Sequence, residues 1–181
     1  MSNTMKTQRY DRLAMSLHWL IALLLIPMLF AGEELMENEG SGTFLPSVHV
    51  SIGLAVLVLS LIRLGWRFAH PAPPPPAGTA AWELTAARIA HALFYVLMIG
   101  LPVTGWLGLP HFLWEEPSLA GLTAFGLAVP VAPELGVPAG ALHNIGSKVA
   151  IALLILHVAA ALKHQFINRD EVLARMLPGA R

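Results

Sequence analysis

The sequence predicts an all-α fold, an integral membrane four-helix bundle. Three observations carry this. Of the 181 residues, 56% are hydrophobic and only 12% are charged, whereas about a quarter of an ordinary soluble domain is charged. The mean hydropathy is +0.65. Four stretches stay apolar over about 20 residues, the length that crosses a bilayer as a helix. A span surrounded by lipid satisfies its backbone only internally, so each is expected to be helical.

The first span runs over about 13–31, "LAMSLHWLIALLLIPMLFA". It has the length of a signal peptide, but no small-residue cleavage site precedes the acidic run "EELMENE", and it carries a histidine, so it is expected to be retained. The second covers about 46–68 and the third about 87–109. Between them "HPAPPPPAG" reads as a stiff, polyproline-like connector. The fourth covers about 139–166 and contains "HNIGSKVAIALLILH", closed at both ends by histidine. No internal repeat is apparent, and residues 1–181 are expected to form one transmembrane domain.

Charge placement predicts orientation. Lys6, Arg9 and Arg12 precede the first span. Arg63, Arg67 and Arg88 flank the proline connector, and Lys163, Arg169, Arg175 and Arg181 follow the fourth span. The other two connections hold Glu33, Glu34, Glu37 and Glu39, and Glu115, Glu116 and Glu134, with no Lys or Arg. The positive-inside rule then puts both termini in the cytoplasm, in a multi-pass arrangement. Lys148 alone departs from the pattern. Trp19, Trp66, Trp82, Trp106 and Trp114 fall mostly near span ends, as interfacial anchors do. The zero formal net charge gives no nucleic-acid signature.

The chain has no cysteine. That excludes disulfides, iron–sulfur clusters, thiolate zinc sites and the thioether attachment of a c-type haem. Histidine is left as the leading metal ligand, and there are eight. His18 lies about 9 Å inside the cytoplasmic end of the first span, and His49 lies near the outer start of the second. His143 is near the outer end of the fourth span, with His157 about 21 Å further toward the cytoplasm. Their spacing is close to four whole turns, so the two share a face. The depths match in pairs, His49 with His143 and His18 with His157.

Facing imidazoles at one depth are what a bis-histidine haem requires, and two such pairs stack two haems b across the membrane. Small residues accompany the histidines: Ala14 and Ala22, Gly53, Gly146, Ala160 and Ala161. These would let a flat macrocycle approach the backbone, although small residues also serve ordinary helix packing. Zinc fits less well, because it gathers several ligands at one point. A proton relay fits less well too, because the acidic residues lie outside the spans or at their ends.

The stretches "RYDRLAMSLHWLIALLL", "SVHVSIGLAVLVLSLIRLGWRFAHPAPPPP", "HALFYVLMIGLPVTGWLG", "TAFGLAVP" and "LHVAAALKHQFINRDEVLARMLP" together resemble the bacterial cytochrome b561 family, small four-helix dihaem quinone-linked cytochromes. Within it the pattern is most similar to the superoxide oxidase member. The resemblance implies electron transfer from superoxide through haem to ubiquinone, with His18/His157 and His49/His143 as iron ligands. His164 lies seven residues beyond His157, on the same face and about 10 Å nearer the cytoplasm, where a histidine can donate a proton to a quinone and Lys163 would stabilise a one-electron-reduced quinone or a haem propionate; the resemblance implies a quinone contact at the same place, "LKHQF". The alternative at His164 is an interfacial histidine at a basic helix end.

Other residues carry two readings each. Lys148 either draws superoxide or pairs with a propionate, or else snorkels to the outer interface; His111 is the other outer candidate cation. Arg63 and Arg67 either bind a propionate or anchor the topology. His91 touches a propionate or quinone, or packs. His70 is expected to be solvated. The second functional class is an electron-transfer subunit docked to a dehydrogenase or hydrogenase.

Overall fold

A computed structural model describes residues 9–37, 44–76, 78–108 and 133–177. Four long helices make up most of it: α1 (Arg12–Glu37), α2 (Phe44–Ala69), α3 (Ala81–Leu107) and α4 (Pro133–Lys163). All four are long and apolar enough to cross a membrane. No strand occurs among the described residues. His111, Trp114 and most of the connection between α3 and α4 lie outside them.

The helices overrun the apolar stretches that mark them. α1 continues through "GEELME" to Glu37, because Leu, Met and Glu are good helix formers and hydropathy ends where lipid ends, not where the hydrogen-bond ladder does. α3 starts six residues ahead of its apolar core, where the Glu83 carboxylate reaches back to accept the Ala80 N–H at 3.4 Å. α4 opens on Pro133, whose missing N–H costs nothing in a first turn.

α1 packs mainly on α2, and α3 on α4; α2 and α3 join the two hairpins, and α1 and α4 touch along a sparser seam. The interior is small. Leu17 and Ile21 of α1, Val56 and Ser60 of α2, Met98 and Leu101 of α3, and Ala139 and Ala150 of α4 are buried. Leu23, Phe30, Val96 and Leu156 are about two-thirds exposed, as lipid-facing side chains are. α3 and α4 approach closely at Gly108 and Gly140. A Cβ on Gly108 would stand 2.7 Å from the Gly140 backbone nitrogen, so this crossing depends on the absence of a side chain.

The end of the bundle that carries both termini is tied by polar contacts. Asp11 caps α1 by accepting the Ala14 N–H at 2.9 Å, and it accepts the Trp66 indole N–H at 3.0 Å. Burial would raise the Asp11 carboxyl, but these hydrogen bonds hold it below the ordinary carboxylate range. Trp66 stacks on His70 with ring centres 3.7 Å apart; the exposed His70 is therefore partnered on one face. Beyond α4 the chain folds back across this end. Trp19 donates its indole N–H to the Met176 carbonyl at 2.7 Å, Arg9 donates to the carbonyls of Ala174 and Leu177, and Arg175 donates to the Pro74 carbonyl.

Candidate functional site

Antiparallel neighbours bring the histidines together in two places. Near the end away from the termini, the rings of His49 on α2 and His143 on α4 have centres 6.0 Å apart. Nearer the terminal end, His18 on α1 and His157 on α4 are 6.3 Å apart. A metal bound about 2 Å from an imidazole nitrogen lies about 3 Å from the ring centre, so two rings flanking one ion stand about 6 Å apart. Both pairs meet that spacing. Among the described residues no three His, Cys, Asp or Glu gather around one point, which is the arrangement a structural zinc site would need.

The surroundings of His49 and His143 suit a large flat group. A cavity of about 490 Å³ is lined by both rings, with Gly53, Val56, Met98, Leu101 and Trp106 on its walls. That volume is in the range of cofactor pockets. A Cβ on Gly53 would meet nothing within 4 Å, so its side of α2 is open to a macrocycle. His143 Nδ1 lies 2.8 Å from the Leu101 carbonyl. With Nδ1–H donating there, Nε2 keeps its lone pair for a metal, the second partner that metal-binding histidines usually have. His49 Nδ1 is buried against Gly32, short of hydrogen-bond geometry, and the Trp106 indole nitrogen is buried without a partner.

Two glycines that the sequence did not single out shape this site. A Cβ on Gly105 would stand 2.8 Å from His143 Nδ1, and one on Gly32 would stand 3.0 Å from His49 Cε1. Each imidazole lies against the backbone of a helix that supplies no ligand to that pair. Gly146, read from the sequence as room for a macrocycle, faces α3 instead, where a Cβ would meet Leu101 at 2.8 Å. It serves helix packing.

At the other pair, α3 adds a third ring. His91 and Phe94 contact His157 with ring centres 5.8 and 5.2 Å away. The packing of α3 on α4 thus brings His91 to the His18/His157 pair. Arg63 Nη1 lies 2.9 Å from His18 Nδ1, and Arg63 also bonds Tyr95. A guanidinium only donates, so His18 accepts through Nδ1 in this arrangement. Metal binding at Nε2 would put the proton on Nδ1 and turn Arg63 away toward another acceptor. Arg67 lies over the Tyr10 ring, 6.0 Å from its centre.

Lys148 lines the cavity with Asn144 and Ser147 of α4 and with Gly32 and Glu33 of α1, two helices that pack sparsely on each other. It lies about 7.5 Å deeper than His143 along α4. Lys163 forms an ion pair with Glu83 and lies 5.6 Å from the centre of the Trp82 ring. His164 Nδ1 is 2.6 Å from Asp170 Oδ2. Burial would raise the Asp170 carboxyl, but the Val172 N–H, then His164 and Asn168, hold it below the ordinary range.

Residues 9–179 match the family described as prokaryotic cytochrome b561. Cytochrome b561 homolog 1 of Escherichia coli (strain K12) is 30% identical over 178 residues, covering 94% of this chain and 97% of the relative. A protein of Yersinia pestis named "Probable superoxide oxidase CybB" is 29% identical over 180 residues, covering 96% and 98%. Cytochrome b562 of Cereibacter sphaeroides is 32% identical over 180 residues, covering 93% and 94%.

Proposed function

The chain belongs to the prokaryotic cytochrome b561 family, a family of haem-b-binding membrane electron-transfer proteins, and from that premise we propose that it is a dihaem superoxide:ubiquinone oxidoreductase. The observation that carries the haem part is the pair of imidazole separations, 6.0 and 6.3 Å. His49 with His143, and His18 with His157, hold the two irons. Both termini lie in the cytoplasm and the His49 pair lies toward the outer face of the inner membrane, as the charge pattern requires. A bis-histidine haem has no open coordination position, so when bound it supplies one-electron transfer and no oxygen binding.

The chain's own residues do the rest. Leu101 and Gly105 orient His143, and Gly32 seats His49. Each superoxide loses one electron and leaves as dioxygen; two such electrons with two protons convert ubiquinone to the quinol. Superoxide is an anion, and Lys148 is the cation on the cavity wall beside the open seam, where it favours the approach. Arg63, which bonds His18 Nδ1 here, would be free to neutralise a haem carboxylate once His18 holds iron. Ubiquinone is reduced at the opposite end, beside His164, with the Lys163–Glu83 pair holding that end of α4 to α3.

Stopped-flow mixing of the oxidised protein with superoxide, followed by a short-chain soluble quinone, tests this reading. Fast haem reduction and then reoxidation are expected. In Lys148→Glu, reduction by superoxide should slow about tenfold at low salt and less at high salt, with reduction by a neutral donor unchanged. An unchanged superoxide rate would remove Lys148 from the mechanism. Glu33 on the same cavity wall opposes an anionic donor and favours a second reading, a cytochrome subunit fed by a dehydrogenase or hydrogenase. A wild-type protein inert to superoxide would select it.

A further inference from the structure

α4 ends in an unusual way. After Lys163 the helix widens into a π-helical turn, His164–Asn168, and Arg169 then adopts the left-handed conformation with φ 53° and ψ 41°. Among the described residues it is the one non-glycine with positive φ. Such a backbone is strained and persists where surrounding contacts hold it. Here the Arg169 N–H and the Asp170 N–H both donate to the His164 carbonyl. The turn reverses the chain and sets the Asp170 carboxylate on the His164 imidazole.

That carboxylate is fully engaged. One oxygen accepts from His164 Nδ1 at 2.6 Å, the other accepts the Val172 N–H at 3.0 Å, and Asn168 donates to the same group. The side chains are 14% exposed for His164 and 21% for Asp170. An ionised carboxylate only accepts, so Nδ1 carries the hydrogen and Nε2 is left for another partner. A carboxylate behind a histidine in this way fixes its tautomer and ring orientation. His164 also lies within electrostatic reach of Glu83 on α3, the helix against which His157 packs.

We propose that Asp170 is a positioning residue for quinone reduction, presenting His164 Nε2 as the proton donor to the quinone carbonyl oxygens. The proposal rests on the reading above, that quinone is reduced beside His164. The reaction takes two electrons, one from each of two superoxide anions, and two protons. Protonated His164 gives its Nε2 proton to a quinone oxygen and forms the new O–H bond. It stays neutral with Nδ1–H on Asp170, and then takes a replacement proton from water on the cytoplasmic side. A second turn completes the quinol. The strained turn at Arg169 keeps the donor in register between the two transfers.

The test is reoxidation of the reduced full-length protein by a short-chain ubiquinone in Asp170→Asn, Asp170→Glu, Asp170→Ala and His164→Ala. Asp170→Asn should lower the maximal rate about tenfold or more, with the apparent quinone KM, the haem spectra and reduction by superoxide unchanged. Asp170→Glu should recover part of the rate, and added formate should recover part of it in Asp170→Ala. A normal rate in Asp170→Asn beside a slow His164→Ala overturns the proposal and leaves the quinone site in place. So does a slow Asp170→Asn that neither Asp170→Glu nor formate corrects, which makes Asp170 an anchor of the turn. A normal rate in His164→Ala places the quinone elsewhere and removes the reading on which the proposal stands.

Discussion

A pyridine haemochrome assay on His49→Ala is expected to return about one haem per chain where the wild type returns about two, one for each imidazole pair. His49 and His143 approach each other from different helices with ring centres 6.0 Å apart. Removing one leaves a single imidazole facing a cavity of about 490 Å³, too little to hold a macrocycle through purification. The other pair is about four turns away along α4, so its haem should stay with its low-spin spectrum intact. The His18/His157 pair is a less clean test, because His91 lies 5.8 Å from His157 and stands ready as a replacement ligand. One haem per chain in the wild type would sink the two-pair assignment.

Gly105→Val should be nearly as severe, although position 105 coordinates nothing. Its Cβ alone would stand 2.8 Å from His143 Nδ1 and 2.9 Å from Cε1, closer than any side chain tolerates. The imidazole must move, and with it goes the hydrogen bond to the Leu101 carbonyl. The outer haem is expected to be lost while the inner one is retained. Gly100→Ala, on the same helix with open space around its Cβ, should keep both. Gly53→Leu gives a further comparison, since its Cβ meets nothing within 4 Å and the longer side chain enters the cavity. It should fold normally and lose the outer haem. Full haem content in Gly105→Val would show that the His143 ring takes a different position when iron is bound.

The meeting of His49 with His143 and of His18 with His157 is legible in the sequence because it needs little: helical periodicity, the length of a span and an orientation from Lys and Arg. Gly32 and Gly105 are not legible, because each belongs to a helix that donates no histidine to that site. Only the rotation of packed helices decides which glycine meets which ring. Gly146 shows the converse, a small residue near a histidine in sequence that turns to a neighbouring leucine in space. The link from His164 to Asp170 was hidden for another reason. Arg169 is not a glycine or asparagine, so nothing local announces a left-handed turn, and without that turn Asp170 continues away from the helix.

The weak seam between α1 and α4 bears on how such a chain matures. On the proposed ligation, each iron joins the α1–α2 hairpin to the α3–α4 hairpin, through His18 to His157 at one level and His49 to His143 at the other. Without iron the hairpins are joined mainly through α2 and α3. Where helices insert before they associate, the α1–α2 and α3–α4 hairpins would enter the bilayer first. On that order the two proposed prosthetic groups would act as rivets set late, after the polypeptide is already in place. A cell short of haem would thus accumulate an inserted but unclasped precursor, with its seam accessible to membrane proteases.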